Sequence, residues 1–386
     1  TGKRVFEGED VADTLASARQ QFHQSYYIPY IQHAPLEPRT AVAEWDDAQK
    51  KVTIWTGTQN PFSVRGEVAR AFSLPEESVR IIVPDFGAAF GGKHTGEAAV
   101  EAARLARGAS RPVMLRWSRE EEFTWAYFRP AGVIDITASL DSAGKITSWH
   151  LININSGNAG LQSPYRIAQS RGEWVQSKPP LRHGSYRGLA ATANNFAREC
   201  AMDELATLAR QDPVAFRLAH LDNPRLAAVL QEAAKRFGWP AARTTDSAAG
   251  IACATEKGSC VSACAEVTLD RANKQFRIQR IVQTFECGAI VNPNGLMSQV
   301  QGAIVQGLGA VLREEMRFSG GKMLNASFAE YAPPRFRDVP PIEVHLMDRP
   351  DLPSTGAGET PLVIIAAAVA NAVSAEIGRA SCRERV

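Results

Sequence analysis

Three segments hold residues whose types and spacing could do chemistry. In Ser354-Thr-Gly-Ala-Gly-Glu-Thr-Pro361, Thr360 suits a helix N-cap and Pro361 the first turn, so Glu359 stands just before a helix N-terminus. A helix dipole favours carboxylate there, and the preceding glycines, Gly358 included, leave room for a ligand, which makes Glu359 a candidate general base. A capping carboxylate with no ligand is the plain alternative. Gly87-Ala-Ala-Phe-Gly-Gly-Lys-His94, between a strand and a helix, has small residues that let backbone amides approach a ligand. Its spacing approaches a nucleotide P-loop, with His94 where that motif needs a hydroxyl. A loop cradling another phosphorylated or dipolar group, or a purely structural turn, fits equally. Gln301-Gly-Ala-Ile-Val-Gln-Gly-Leu-Gly309 places Gln306 among three helical glycines, each costing about 1 kcal/mol relative to Ala, which implies close approach by a ligand or a neighbouring helix. Two shorter segments add Gln59, at the end of a strand, and Arg187, in a small-residue loop leading into a helix.

Such residues need a scaffold, and the patterns provide one from about Tyr26 onward. Lys51 to Trp55, Val79 to Val83 and Pro112 to Trp117 read as strands, with helices over Val64 to Leu74 and through Ala98 to Ala106. Val133 to Leu140 and Ile146 to Ile154 flank Asp141-Ser-Ala-Gly144 as a hairpin. Asp212-Pro213 and Asn223-Pro224 open new helices in a largely helical stretch from Asn194 to Gly238. The periodicity lapses over Pro240 to Gly250. Beyond it, strands over Val261 to Leu269 and Phe276 to Phe285 pair, a helix runs from about Pro293 to Leu312, Ile342 to Leu346 is a strand, and a last helix begins near Pro361. The expectation is an α+β fold of two units with mixed β-sheets and packed helices. The first covers 1–245, with a truncated lead-in before about 25, and the second covers 246–376. Residues 377–386 turn abruptly basic and read as a non-native tail.

Composition narrows the function classes. The 386 residues carry 43 Lys+Arg against 41 Asp+Glu, a net +2 that leaves no electrostatic footprint for nucleic acid. The longest apolar run, Leu362 to Ala370, falls short of the ~20 residues of a membrane-spanning helix. Of six cysteines only Cys260 and Cys264 are close, without a second pair to complete a zinc set, so buried reduced thiols are expected. Cytoplasm and periplasm are both compatible with this composition.

Taken in order, these segments resemble the molybdenum-binding large subunit of the xanthine dehydrogenase/aldehyde oxidase family, most of all the bacterial isoquinoline 1-oxidoreductase and nicotinate dehydrogenase type. His33-Ala-Pro-Leu-Glu-Pro38, Asp203-Glu-Leu-Ala206 and Cys287-Gly-Ala-Ile-Val-Asn-Pro293 add to the match. The resemblance implies two tandem molybdenum-cofactor-binding domains holding molybdopterin, in its cytosine dinucleotide form, with no protein side chain ligating the metal. Gln59, Phe90, Gly91, Gly92, Gln306 and Gly358 would border that cofactor. Arg187 would face substrate and stabilise developing negative charge, and Glu359 would be the general base that promotes attack of a water-derived oxygen on an aldehyde or N-heterocycle. Four-Cys cluster motifs are absent, so electrons would leave through [2Fe–2S] clusters on a small partner subunit, and onward to a cytochrome c or FAD subunit. His94 stands where purine-oxidising members carry an acidic residue, which argues against xanthine. Lys257-Gly-Ser-Cys-Val261 stands near the place of the family's Gly-Gln-Gly cofactor segment. The alternatives are an inactive fragment with an incomplete cofactor site and a P-loop nucleotide hydrolase.

Overall fold

The computed structural model describes residues 4–8, 11–18, 20–48, 50–240, 247–377 and 382–384. Among these, three larger sheets each mix parallel and antiparallel pairs. The first has the order Arg4–Gly8, Gln169–Val175, Ile146–Ile154, Gly132–Leu140, Gln20–Ile28. Its centre is the expected hairpin, in register from Val133 opposite Ile154 to Ser139 opposite Ser148, with a one-residue shift before Leu140 opposite Ile146. The second has the order Val79–Ile82, Lys51–Thr56, Thr40–Asp46, Val113–Arg116. Its alternating residues Ala41, Ala43, Val52 and Ile54 face the helices Pro61–Phe72 and Glu97–Ala109, whose Val64, Val68, Ala99 and Ala103 complete a small core. The third runs Ser247–Glu256, Ser259–Asp270, Gln275–Glu286, Ile342–Met347.

Two apolar helices tie the molecule together. Ala191–Leu208 lies against the first sheet and against Ile365–Ile377, which covers the third. One hydrophobic core therefore runs from Tyr26 and Trp149 through Phe196 to Ile251 and Val369. The boundary expected at 245/246 falls in 241–246, outside the described residues, and that core continues on both sides of it. Helices Pro213–Ala219 and Pro224–Phe237 start where the Asp-Pro and Asn-Pro pairs placed them. Asp212 accepts from the amides of Val214 and Ala215, and Asn223 from those of Arg225 and Leu226.

Several expectations need correction. The lead-in before residue 25 is part of the fold, because Gln20–Ile28 forms one edge of the first sheet and Arg4–Gly8 the other. Ser247–Glu256 is an edge strand of the third sheet, and its first four residues occupy the end of the stretch where the periodicity lapses. Its Ala and Gly residues lack a β signature because the covering helix lies directly on them: a Cβ at Gly250 would come within 2.2 Å of the Ala372 nitrogen. The last helix opens with a 3-10 turn, Thr360–Leu362, before the α-helix Ile365–Ile377, and Glu359 itself is the cap residue. Thr360–Ile377 is long and apolar enough to cross a membrane by length and composition, but 78% of it is buried inside the fold. It exceeds the run read from sequence because Thr360, Asn371 and Ser374 interrupt a strictly apolar count without lowering mean hydropathy much. From the tail, residues 382–384 pair with Tyr27, whereas 378–381 and 385–386 lie outside the described residues.

Candidate active site

The Gly87–Gly92 loop is braced by residues of the His33–Pro38 segment. The Glu37 carboxylate accepts from the Gly87 amide and from Lys93 Nζ, the latter at 3.2 Å, so one side chain closes both ends of the loop. His33 packs so tightly beneath it that a Cβ at Gly92 would lie 2.7 Å from the imidazole Cγ. Its Nε2 meets the Ser185 carbonyl oxygen at 2.5 Å, and burial lowers its pKa to about 4, which keeps the ring neutral at pH 7. Arg39 donates to the Gly92 carbonyl and, at 2.6 Å, to buried Glu122. Ala88, Phe90 and Gly91 all have positive φ, and a Cβ at Gly91 would meet the Ser185 carbonyl oxygen at 2.8 Å.

This bracing turns most of the loop's amides inward. Gly91 and Lys93 donate to Gln59 Oε1 at 3.1 and 3.4 Å, Gly92 to the Ala89 carbonyl, Ala88 to that of Phe86, and Gly87 to Glu37. The expected amide cradle for a phosphate is therefore not what the loop presents. Lys93 is buried and paired, and the next helix starts only at Glu97, so the nucleotide P-loop reading fails on geometry. Gln59 spends its oxygen on the loop and keeps its NH2 group as a donor to offer the cavity.

That cavity, of 710 Å³, is lined by Gln59, Ala88, Ala89, Phe90, Gly91, His94, Ser185, Tyr186, Arg187, Leu189, Ser298, Gln299, Gly302, Gly358 and Glu359. A second cavity, of 500 Å³, lies between Tyr27, Tyr30, Asn155 and Lys178 and contains none of the candidate residues. The structure thus gathers Gln59, Phe90, Gly91, Arg187, Gly358 and Glu359 around one space. Gly92 is set back against His33. Gln306 sits behind the wall, where its amide accepts from Arg187 Nη1 at 3.1 Å and donates to the Tyr186 hydroxyl at 3.2 Å. Gln299, seven residues earlier on the same face of helix Pro293–Leu312, reaches the cavity instead. Sequence reasoning missed it, although two helical turns separate it from Gln306. Of the helix glycines, Gly302 borders open space, whereas Gly307 is packed against Ile365 and Gly309 against Glu314.

Glu359 is held from behind. The Ser247–Glu256 and Ser259–Asp270 strands turn through Lys257 and Gly258, both with positive φ. That hairpin grips the 354–361 loop. Gly356 donates to the Lys257 carbonyl at 3.1 Å, Ser259 Oγ to the Gly356 carbonyl at 2.5 Å, and Thr360 Oγ1 to the Glu256 carbonyl at 2.9 Å. Buried Gln283 donates to the Pro361 carbonyl at 3.1 Å. The Glu359 side chain makes no capping bond, and its Oε2 is buried without a hydrogen-bond partner. Glu359 lines the cavity, and a carboxylate there with no capping bond and an unpaired oxygen is available to take a proton. Arg187 faces the same space, but its guanidinium already donates to Gly358, Gln306 and Gln299.

Residues 2–171 and again 192–340 match the family model for a molybdopterin cofactor-binding domain. The chain is 28% identical to one of the subunits of nicotinate dehydrogenase from Pseudomonas putida, over 96% of its own length and 34% of that protein's. It is also 28% identical to the beta chain of isoquinoline 1-oxidoreductase from Brevundimonas diminuta, over 90% and 48%. The chain therefore spans between a third and half of the length of these two curated relatives. In fold it is similar to quinoline 2-oxidoreductase from Pseudomonas putida 86, with TM-score 0.90 and 16% identity over 99% of this chain and 77% of that one.

Proposed function

The chain belongs to the molybdopterin cofactor-binding family, with two such domains in tandem, and from that premise we propose that it is the catalytic large subunit of a molybdenum hydroxylase oxidising an aldehyde or N-heterocycle. The observation that carries the reading is the unpartnered Glu359 Oε2, at a cavity shared with Gln59 and the 88–91 loop. The residues present fit the implied group. Gly302 and Gly358 have nothing within 4 Å of where a Cβ would stand, so a ligand has space against both backbones. Gln59 and Gln299 would hold molybdopterin, in its cytosine dinucleotide form, with the backbone of Phe90, Gly91 and Gly358 bordering it. Bound there, the cofactor supplies two-electron redox chemistry that no side chain can perform.

The chain's own residues supply position and proton transfer. The Glu359 carboxylate takes the proton from the attacking water-derived oxygen, and the Gln59 NH2 group donates a hydrogen bond from the facing wall. Buried Tyr186 and half-buried Leu189 limit water on the third side. Arg187, whose pKa burial lowers against the opposing effect of Tyr186 and Glu359, spends its guanidinium on protein oxygens of that wall and not on substrate. Electrons would pass to [2Fe–2S] clusters on a small partner subunit, and from there to a cytochrome c or FAD subunit.

Glu359→Gln tests the reading. Turnover should fall by about 10²–10⁴-fold, the range of general-base contributions, with molybdenum content near that of the parent. Unchanged turnover would remove Glu359 as the base. The partial span of the relatives favours one second reading, a piece that does not retain cofactor by itself, which metal analysis separates from the first.

A further inference from the structure

Arg187 touches three walls of the cavity. Its backbone amide donates to the Phe90 carbonyl at 2.8 Å. Its guanidinium donates through Nε to the Gly358 carbonyl at 2.6 Å, through Nη1 to Gln306 Oε1 at 3.1 Å, and through Nη2 to Gln299 Oε1 at 2.9 Å. A side chain whose chief task was to meet a substrate anion would keep its fork open to the cavity. Here each guanidinium nitrogen has a protein oxygen, and the rigid planar fork converts three acceptors into one fixed arrangement.

The acceptor at Nε is the carbonyl of the residue directly before Glu359. The hairpin behind the loop grips Gly356 and Thr360. Between those two residues, among the described residues, the bond from Arg187 to Gly358 ties the loop's backbone to another segment. Ala357 packs against the core, but Gly358 has open space at its Cβ position and Glu359 makes no capping bond, so at these two residues the clasp acts without help from packing or a cap.

We propose that Arg187 is a positioning residue: its guanidinium, oriented by Gln299 and Gln306, holds the Gly358 carbonyl and thereby sets the Glu359 carboxylate in the cavity. The catalytic meaning rests on Glu359 being the base, whereas the clasp itself does not depend on that reading. Removing the clasp frees the loop, and the loss appears in kcat, alike for every substrate, because no substrate contact is taken away.

The test uses the full chain assembled with its partner subunit, as Arg187→Ala and Arg187→Lys. Lysine keeps the charge but its single ammonium cannot span three separated acceptors, and it serves as the folded variant should Ala prevent assembly. Hydrogen exchange of the 354–362 amides is expected to rise by about tenfold in both variants, with the Ala191–Leu208 helix unchanged. In turnover, kcat should fall by the same factor for substrates that do and do not develop negative charge, with KM held. Exchange unchanged over 354–362, loss confined to one substrate class, or Arg187→Lys matching the parent in both measurements would each overturn the proposal. If Glu359→Gln retains turnover, the base assignment falls while the exchange result still judges the clasp.

Discussion

At the scale of single residues, the site depends on side chains that never enter the cavity. His33 is one. Its ring is kept neutral in the fold, with a pKa lowered to about 4 by burial, while an unfolded His titrates near 6.5. As pH falls from 6.5 the unfolded chain takes a proton that folded His33 refuses, so its stability contribution is complete above 6.5 and lost as pH falls through about 4. Comparing the parent with His33→Gln by chemical denaturation, the stability difference should shrink by up to about 3 kcal/mol between pH 7 and pH 4. A difference that does not change with pH would show that His33 is not held neutral. Glu314, whose pKa burial raises to about 8, acts in the opposite sense, so its share of stability is lost as pH rises, and the variant comparison is needed to isolate His33.

Among elements, the 256–259 hairpin does for Glu359 what the His33–Pro38 segment does for the glycine loop. It turns an irregular stretch into a rigid shelf by satisfying its backbone. Ser259, fully buried, is the clearest single part, since its hydroxyl reaches both the Gly356 carbonyl and, at 2.9 Å, Thr355 Oγ1. Ser259→Ala should cost about 1 kcal/mol in a thermal or denaturant unfolding measurement, because it removes the hydrogen bonds of a buried hydroxyl to the loop. It should also lower turnover with molybdenum content retained. Full activity at reduced stability would mean the hairpin supports the fold without setting the base. Helix Pro293–Leu312 illustrates the converse, an element with two roles along one face. Its first half offers Ser298, Gln299 and Gly302 to the cavity, and its second half packs Gly307 against the last helix.

For the whole molecule, the consequence of the arrangement is that no one segment makes the site. The cavity needs the 88–91 loop from beside the second sheet, the 185–189 segment ahead of helix Ala191–Leu208, and the 298–302 and 358–359 residues from the far side. Co-produced with the iron–sulfur subunit proposed for it and the maturation proteins of such enzymes, the chain should carry about one molybdenum, measured by elemental analysis of the purified complex. Magnesium-dependent nucleotide binding without molybdenum would favour the hydrolase alternative that the loop geometry rejects. Absence of both ligands would leave a chain without a working cofactor site.

Local physics made much of this legible in advance. The 133–154 hairpin, the helices capped by Asp212 and Asn223, and Glu359 ahead of a glycine-flanked turn each depend on interactions within a few residues, and these leave marks in spacing and residue type. Other features depend on distant partners and leave no such mark. Gln299 and Gln306 share a helix face, and only the abutting loops decide which one meets the cavity. The glycine loop looked like an anion cradle until Gln59 and Glu37, remote in sequence, proved to take its amides. Arg187 was expected to face substrate, yet acceptors on three residues from beyond residue 290 close around it. Hydrogen bonds saturate, so what a side chain can still do is set by the partners that the folded chain has already given it.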